Sequence, residues 1–201
     1  LCNRQVWRTM AARLDARGHA IGAVDLEPVY TSIDDFAPQV TRAVDELRTR
    51  TGAPRVALVC HSMGGLVARA WLRAGGDAAR SSVAAVVTLG TPHRGTLHAR
   101  LGQGRNARQM EIDSEWLNDL AASESDAVRA LFTVLSSHHD NIVASGERQT
   151  LAGAHTREFS GLGHLSLLRD TAVISATAAA LDAAVRSGCP SSAPGTRSDP
   201  H

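Results

Sequence analysis

Hydrophobic positions along the chain alternate between short continuous apolar runs and longer segments where apolar residues recur every three to four positions. That alternation predicts strands interleaved with amphipathic helices: an α/β chain forming a doubly wound, mostly parallel sheet with flanking helices. Val6, Met10 and Leu14 repeat at helical spacing until Gly18, which predicts a helix over about 5–17 and then a short strand at Ala20–Leu26. Thr31 or Ser32 is placed to cap a second helix. Its apolar positions Val40, Val44 and Leu47 run to about Arg50, with regular helix starting near Pro38 and stopping before Gly52 and Pro54. Arg55–Cys60 (RVALVC) reads as a central strand covered on both faces, Ser62 to about Ala74 as a helix, and Ser82–Leu89 (SVAAVVTL) as the next buried strand.

Further along, Leu131–Ser136 and Thr156–Ser160 read as strands, and Leu165–Arg186 carries a last amphipathic helix on Leu168, Val173, Ala176, Ala180 and Val185. The polar stretch of about 98–126 is longer than an ordinary connection and is expected to form a cap insertion. After Ser187 the chain turns to Ser, Pro and Gly, so residues 1–186 are expected to form the domain and 187–201 a disordered tail.

Composition narrows the classes. With 201 residues, 43% hydrophobic, the chain is long enough for one domain with a single core, so no metal or disulfide is needed for folding. Twenty-one basic residues, all arginine, balance 20 acidic ones, which leaves no basic stripe for a nucleic acid partner. Cys2, Cys60 and Cys189 match neither a disulfide framework nor a zinc site, so a reducing compartment is expected. No run approaches the ~18 apolar residues of a membrane helix, and no secretory leader is visible. A cytoplasmic or membrane-associated location is therefore expected over a secreted one.

The chemistry concentrates at Cys60-His61-Ser62-Met63-Gly64-Gly65, where a buried strand turns into a helix. Such a turn lifts the central serine above the sheet in a strained conformation, and the small residues beyond it let strand and helix approach. The amide of Met63, at the start of the helix, can donate to a developing oxyanion. Cys60 departs from the usual first glycine of G-x-S-x-G. A serine nucleophile needs a base and an orienting acid from loops at the carboxyl ends of strands. Asp140 in SSHHDNIV and His164 in GLGHLS both follow strands, and the order Ser62, Asp140, His164 is that of a hydrolase elbow. Chain order sets aside His93, the competing base. His61 is turned away from Ser62 and is expected to be structural. His138, His139 and Asp140 resemble a metal cluster, but adjacent side chains on an extended chain point apart.

VALVCHSMGGLVARAWLR, TLGTPHRGT, SSHHDNIV and GLGHLSLL together resemble the α/β-hydrolase superfamily, and within it the bacterial triacylglycerol-lipase-like esterases, over about residues 2–185. The resemblance implies Ser62 as nucleophile, Asp140 as acid and His164 as base, with an ester or lipid substrate and no cofactor. It also implies a strand ending in His-Gly, lying mid-sheet and carrying a second oxyanion donor, immediately before Leu1. The chain is accordingly expected to be an N-terminally incomplete domain, with membrane association through an upstream segment left open. An acyltransferase or thioesterase on the same triad, or a non-catalytic domain of this fold, are the alternatives. Met110, Trp116, Leu117 and Leu120 in the cap are expected to face an acyl pocket, with ordinary packing as the competing reading.

Overall fold

The computed structural model describes residues 4–143 and 147–188. The strand-length apolar runs form a four-stranded parallel sheet of β1 (Val56–His61), β2 (Val83–Leu89), β3 (Phe132–Ser137) and β4 (His155–Phe159), in the order β1-β2-β3-β4. In β1, Val56, Leu58 and Cys60 join a core with Val40, Val44, Leu66 and Trp71, while Ala57 and Val59 join a second core with Met10, Leu14, Val173 and Ile174. The period of two therefore divides one apolar run between both faces. β2 and β3 divide likewise, Val86 and Val134 to the first core and Val87 and Leu135 to the second.

Two helices, α2 (Ala37–Thr51) and α3 (Met63–Ser82), cover the first face, and α1 (Arg8–Asp15) and α7 (Thr171–Gly188) cover the second. The doubly wound arrangement is thus the expected one. Neither expected cap serves α2 itself: Ser32 caps a 3-10 turn, Ile33–Phe36, in a capping box with Asp35, and α2 continues directly from that turn with Phe36 at its N-cap and no side-chain cap. Pro38 lies in the first turn of α2, and Gly52 closes it at φ 71°, where a glycine carries no Cβ penalty. α3 runs past the expected Ala74 because the chain turns at Gly76 (φ 51°) and coils again to Ser82. α7 continues through Gly188, two residues into the expected tail, and the tail from residue 189 on lies outside the described residues.

Two expectations need correction. Ala20–Leu26 forms no strand. One of its carbonyls, that of Ile21, accepts from Arg50 of α2 at 2.7 Å, and just past the segment Gln39 of α2 bonds both the amide and the carbonyl of Glu27. β1, expected at the centre, stands at one end of the described order.

The stretch around 98–126 folds into a 3-10 turn (Leu97–Leu101), α4 (Arg105–Gln109), α5 (Glu115–Ala122) and the start of α6 (Asp126–Arg129). It is fastened to the body. Gln109 accepts from the Ile33 amide at 2.7 Å and donates to the Ser32 hydroxyl at 2.8 Å, and the Asn106 amide reaches the Thr31 carbonyl. Leu117 belongs to the first core and Leu120 is fully buried, while Met110 and Trp116 pack partly buried against that core. The Trp116 indole donates to Asp34 at 2.8 Å beneath the Arg73 guanidinium. The side chains expected to face an acyl pocket are packed, Leu117 and Leu120 buried and Met110 and Trp116 half-buried against the first core.

Candidate active site

β1 ends at His61, and the next residue, Ser62, holds φ 54° and ψ −129° before α3 begins at Met63. A non-glycine residue in that conformation costs about 1–3 kcal/mol, so the surrounding structure must hold it there. It does so at both backbone groups. The Ser62 amide donates to the Leu89 carbonyl at 2.9 Å, and the Thr91 hydroxyl donates to the Ser62 carbonyl at 2.9 Å. Gly65 has to lack a side chain, since a Cβ there would overlap the Thr91 side chain. The departure at Cys60 is accommodated: a Cβ built on Gly64 would lie 3.8 Å from that of Cys60, an ordinary contact. Burial pushes the Cys60 thiol up to about 12, so the neighbouring sulfur carries no thiolate to compete as a nucleophile.

Helix geometry leaves the first amides of α3 without intrahelical partners, and that of Met63 is the first of them. It is the expected oxyanion donor. The same end of the sheet holds the other two expected residues. Asp140 follows β3 and His164 follows β4, and His164 Nδ1 lies 2.8 Å from Asp140 Oδ2, both side chains buried. The other carboxylate oxygen accepts from the Ile142 and Val143 amides, each at 2.8 Å. Burial alone would raise the Asp140 carboxyl, but the His164 hydrogen bond and these two amides outweigh it and hold it below the usual carboxylate range. A carboxylate there makes Nδ1 the protonated nitrogen of a neutral His164, which leaves Nε2 as the acceptor.

Gly90 joins the halves of the site. It follows the Leu89 carbonyl that binds Ser62, and a Cβ on it would lie 2.9 Å from Asp140 Oδ2 and 3.1 Å from His164 Nδ1. Only a bare backbone fits between elbow and acid-base pair. The other histidines separate clearly. His93 is sealed, bonded through Nε2 to the Thr88 hydroxyl at 3.0 Å, and kept well below the ordinary histidine value by burial and then by the Arg69 charge. His138 pairs with Glu158 at 3.1 Å, and His139 Nδ1 accepts from the Gly161 amide, so the run of three neighbours serves three different partners. Among the described residues no group of three potential ligands is placed to hold a metal.

Sequence reasoning missed two supports. Thr91 stands in the quoted TLGTPHRGT run, and a threonine just after a strand-end glycine was the available signal. Arg69, in the apolar run of α3, is buried and bonds Glu124 through two nitrogens at 2.6 and 2.8 Å while a third donates to the His93 carbonyl at 3.0 Å. A charge inside LVARAWL was its signal.

Residues 31–191 match the profile of the PGAP1-like alpha/beta domain, which spans most of the chain. The chain belongs to the PGAP1-like alpha/beta domain family. No curated protein matches the sequence of this PGAP1-like domain. Among solved structures it is similar to the mature lipase BlEst2 of Bacillus licheniformis, with a TM-score of 0.78 at 16% identity over 90% of this chain and 87% of that one. It is also similar to the esterase domain of a Rhodothermus marinus protein, with a TM-score of 0.57 at 21% identity, covering 93% and 81% of the two chains. For the phospholipase PlaB of Legionella pneumophila the TM-score is 0.63 at 14% identity, over 93% of this chain but 60% of that one. At these identities the likeness is one of fold. The PGAP1-like domain has the esterase- and lipase-like α/β-hydrolase fold, as the quoted motifs lead one to expect.

Proposed function

We propose that this protein is a serine carboxylic-ester hydrolase that works through an acyl-enzyme, with Ser62 as nucleophile, His164 as base and Asp140 as the acid that orients it. The observation that carries this reading is the buried 2.8 Å bond between Asp140 and His164, set across Gly90 from a serine in strained elbow geometry. Ser62 Oγ attacks the ester carbonyl and gives its proton to His164 Nε2, while Asp140 stabilises the imidazolium. The Met63 amide donates to the oxyanion. Collapse of the tetrahedral intermediate expels the alcohol, which takes the proton from His164, and water then repeats the sequence to release the acid. The substrate class is an ester or a lipid ester, in keeping with the lipase and esterase folds it resembles.

A fluorophosphonate probe tests the nucleophile directly. The full-length protein is expected to be labelled at Ser62, and Ser62→Ala to abolish labelling and lower ester turnover by several orders of magnitude. Undiminished labelling of Ser62→Ala, or a probe adduct on Cys60, overturns the assignment.

A further inference from the structure

His61 adjoins the nucleophile in the chain and the base in space. It is the last residue of β1, next to Ser62 in the chain, and its buried Nε2 sits 3.1 Å from the main-chain carbonyl of His164. The two imidazole rings are 4.4 Å apart at 48°, and the edge of Trp7 backs His61 from 6.5 Å away. A carbonyl oxygen only accepts, so Nε2 must carry the proton.

We infer that His61 is a positioning residue: its Nε2–H tethers the loop that carries His164 to the strand that carries Ser62. This rests on the triad reading above. The consequence is mechanical. Ser62 is fixed by the Leu89 carbonyl and the Thr91 hydroxyl, and Asp140 is fixed by two amides of its own loop. His164 sits in a separate loop, after an exposed terminal strand, with its amide bonded to Asn141 at a long 3.3 Å. The His61 bond ties that loop's main chain directly to the residue preceding the nucleophile, so the elbow and the base keep one spacing. Misplacement of a catalytic group by about 1 Å can cost on the order of a hundredfold in rate.

The tether has to survive the proton transfer it serves. When His164 takes the Ser62 proton, a second titrating imidazole at 4.4 Å could compete for it. Burial, then the neighbouring His164, lowers His61 to about 4, while its bond to the His164 carbonyl and the Asp140 charge pull the other way. His164 and Asp140 both act on it, as does the positive charge of the chain's amino terminus, and Trp7 lies on its other side. A neutral His61 remains a donor throughout the cycle and takes no proton from the base.

Two variants of the full-length protein separate the donor from the ring. His61→Phe keeps an aromatic ring and removes the donor, and His61→Gln keeps a donor near the Nε2 position. His61→Phe is expected to lower kcat about ten- to a hundredfold with KM within about twofold, and to slow fluorophosphonate labelling of Ser62 in parallel. His61→Gln is expected to restore most of the loss. The downfield proton resonance of His164 Nδ1–H, bonded to Asp140, should broaden in His61→Phe and return in His61→Gln. Unchanged kcat and an unchanged resonance in His61→Phe overturn the tether. Equal losses in both variants overturn it too, since they make the ring's packing the cause. The resonance reports the tether even if Ser62→Ala keeps full activity, so failure of the nucleophile reading and failure of this one give different results.

Discussion

Two loops at the carboxyl edge of the sheet each carry a buried histidine, and the two have opposite fates. After β2, His93 packs edge-on against Phe132, bonds the Thr88 hydroxyl and faces the Arg69 cation. After β4, His164 meets the Asp140 carboxylate and the neutral ring of His61. Burial is nearly the same, with 4% and 7% of the residue exposed. What differs is the sign of the nearest charge. Desolvation and then a cation both oppose protonation of His93, whereas the ring of His164 has a carboxylate as its hydrogen-bond partner. Burial and position after a strand therefore do not make a base. A carboxylate within hydrogen-bond reach is what marks His164 as the candidate.

The broadest test of that contrast exchanges the two histidines for alanine. His164→Ala should lower kcat/KM by about ten-thousandfold, as loss of a member of a concerted triad does, with little change in thermal stability. His93→Ala should do the reverse: the folded enzyme turns over at near the parental rate while the melting temperature falls, because a ring packed on Phe132 has left a cavity. Steady-state kinetics together with thermal unfolding of both variants decide the matter. A dead but stable His93→Ala would transfer the base to the wrong loop.

Next in size is the ion pair behind His93. Arg69 and Glu124 have side chains 1% and 3% exposed, and their bond joins α3 to the turn between α5 and α6. Glu124→Ala leaves the guanidinium buried with Arg129 nearby and the His93 carbonyl as its remaining acceptor, and should cost about 3–5 kcal/mol in denaturant unfolding. Replacing both partners with apolar residues of similar volume should recover much of that loss, since a buried pair gives little net stability over good packing. A Glu124→Ala protein as stable as the parent would mean that the pair does not anchor the insertion.

The pattern of apolar positions made most of this architecture legible. The four strands that form and the helices α1, α2, α3 and α7 followed from periods of two and of three to four, while Ser62, Asp140 and His164 were marked by the elbow run and by their order after strands. The failures have physical causes. Ala20–Leu26 is apolar enough for a strand, but a strand needs a ladder, and the Ile21 carbonyl and, just past the segment, Glu27 are bonded by Arg50 and Gln39 of α2. The stripe of Trp116, Leu117 and Leu120 has the same periodicity whether it meets substrate or core, so no pattern could separate the two. Arg69 with Glu124 and Thr91 with Ser62 are 55 and 29 residues apart in sequence, and a side-chain bond at that separation leaves no periodic trace.

Asp140 gives the contrast a pH signature. Its carboxyl titrates below the usual range in the folded protein despite the upward push of burial, because His164 and the Ile142 and Val143 amides bind the anion. The unfolded chain therefore takes up the proton first as pH falls. The stabilisation is complete above the unfolded carboxylate value of about 3.9 and is lost as pH drops through the lower folded value. Asp140→Asn should flatten the stability profile of the parent in that acid window and leave its slope near neutrality unchanged. Urea unfolding at a series of pH values measures both, and identical acid slopes would show that the carboxylate is not held as an anion.

The smallest expected effect lies at Thr91, which supports the elbow and leaves both histidines alone. Its hydroxyl donates to the Ser62 carbonyl, and its side chain fills the space that the absent side chain of Gly65 leaves open. Thr91→Val removes the donor at nearly constant volume, so the loss is one hydrogen bond, about 1 kcal/mol, on a backbone that is strained at φ 54°. The elbow is then freer to relax away from its attacking position. On the proposed mechanism the loss should fall on kcat, roughly fivefold, with KM unchanged. Thr91→Ser keeps the hydroxyl and should recover the rate even though it gives up a methyl group of packing. If Thr91→Ser is as slow as Thr91→Val, the methyl contact with the Gly65 backbone holds the elbow. If both retain the parental rate, the Leu89 carbonyl holds Ser62 without help.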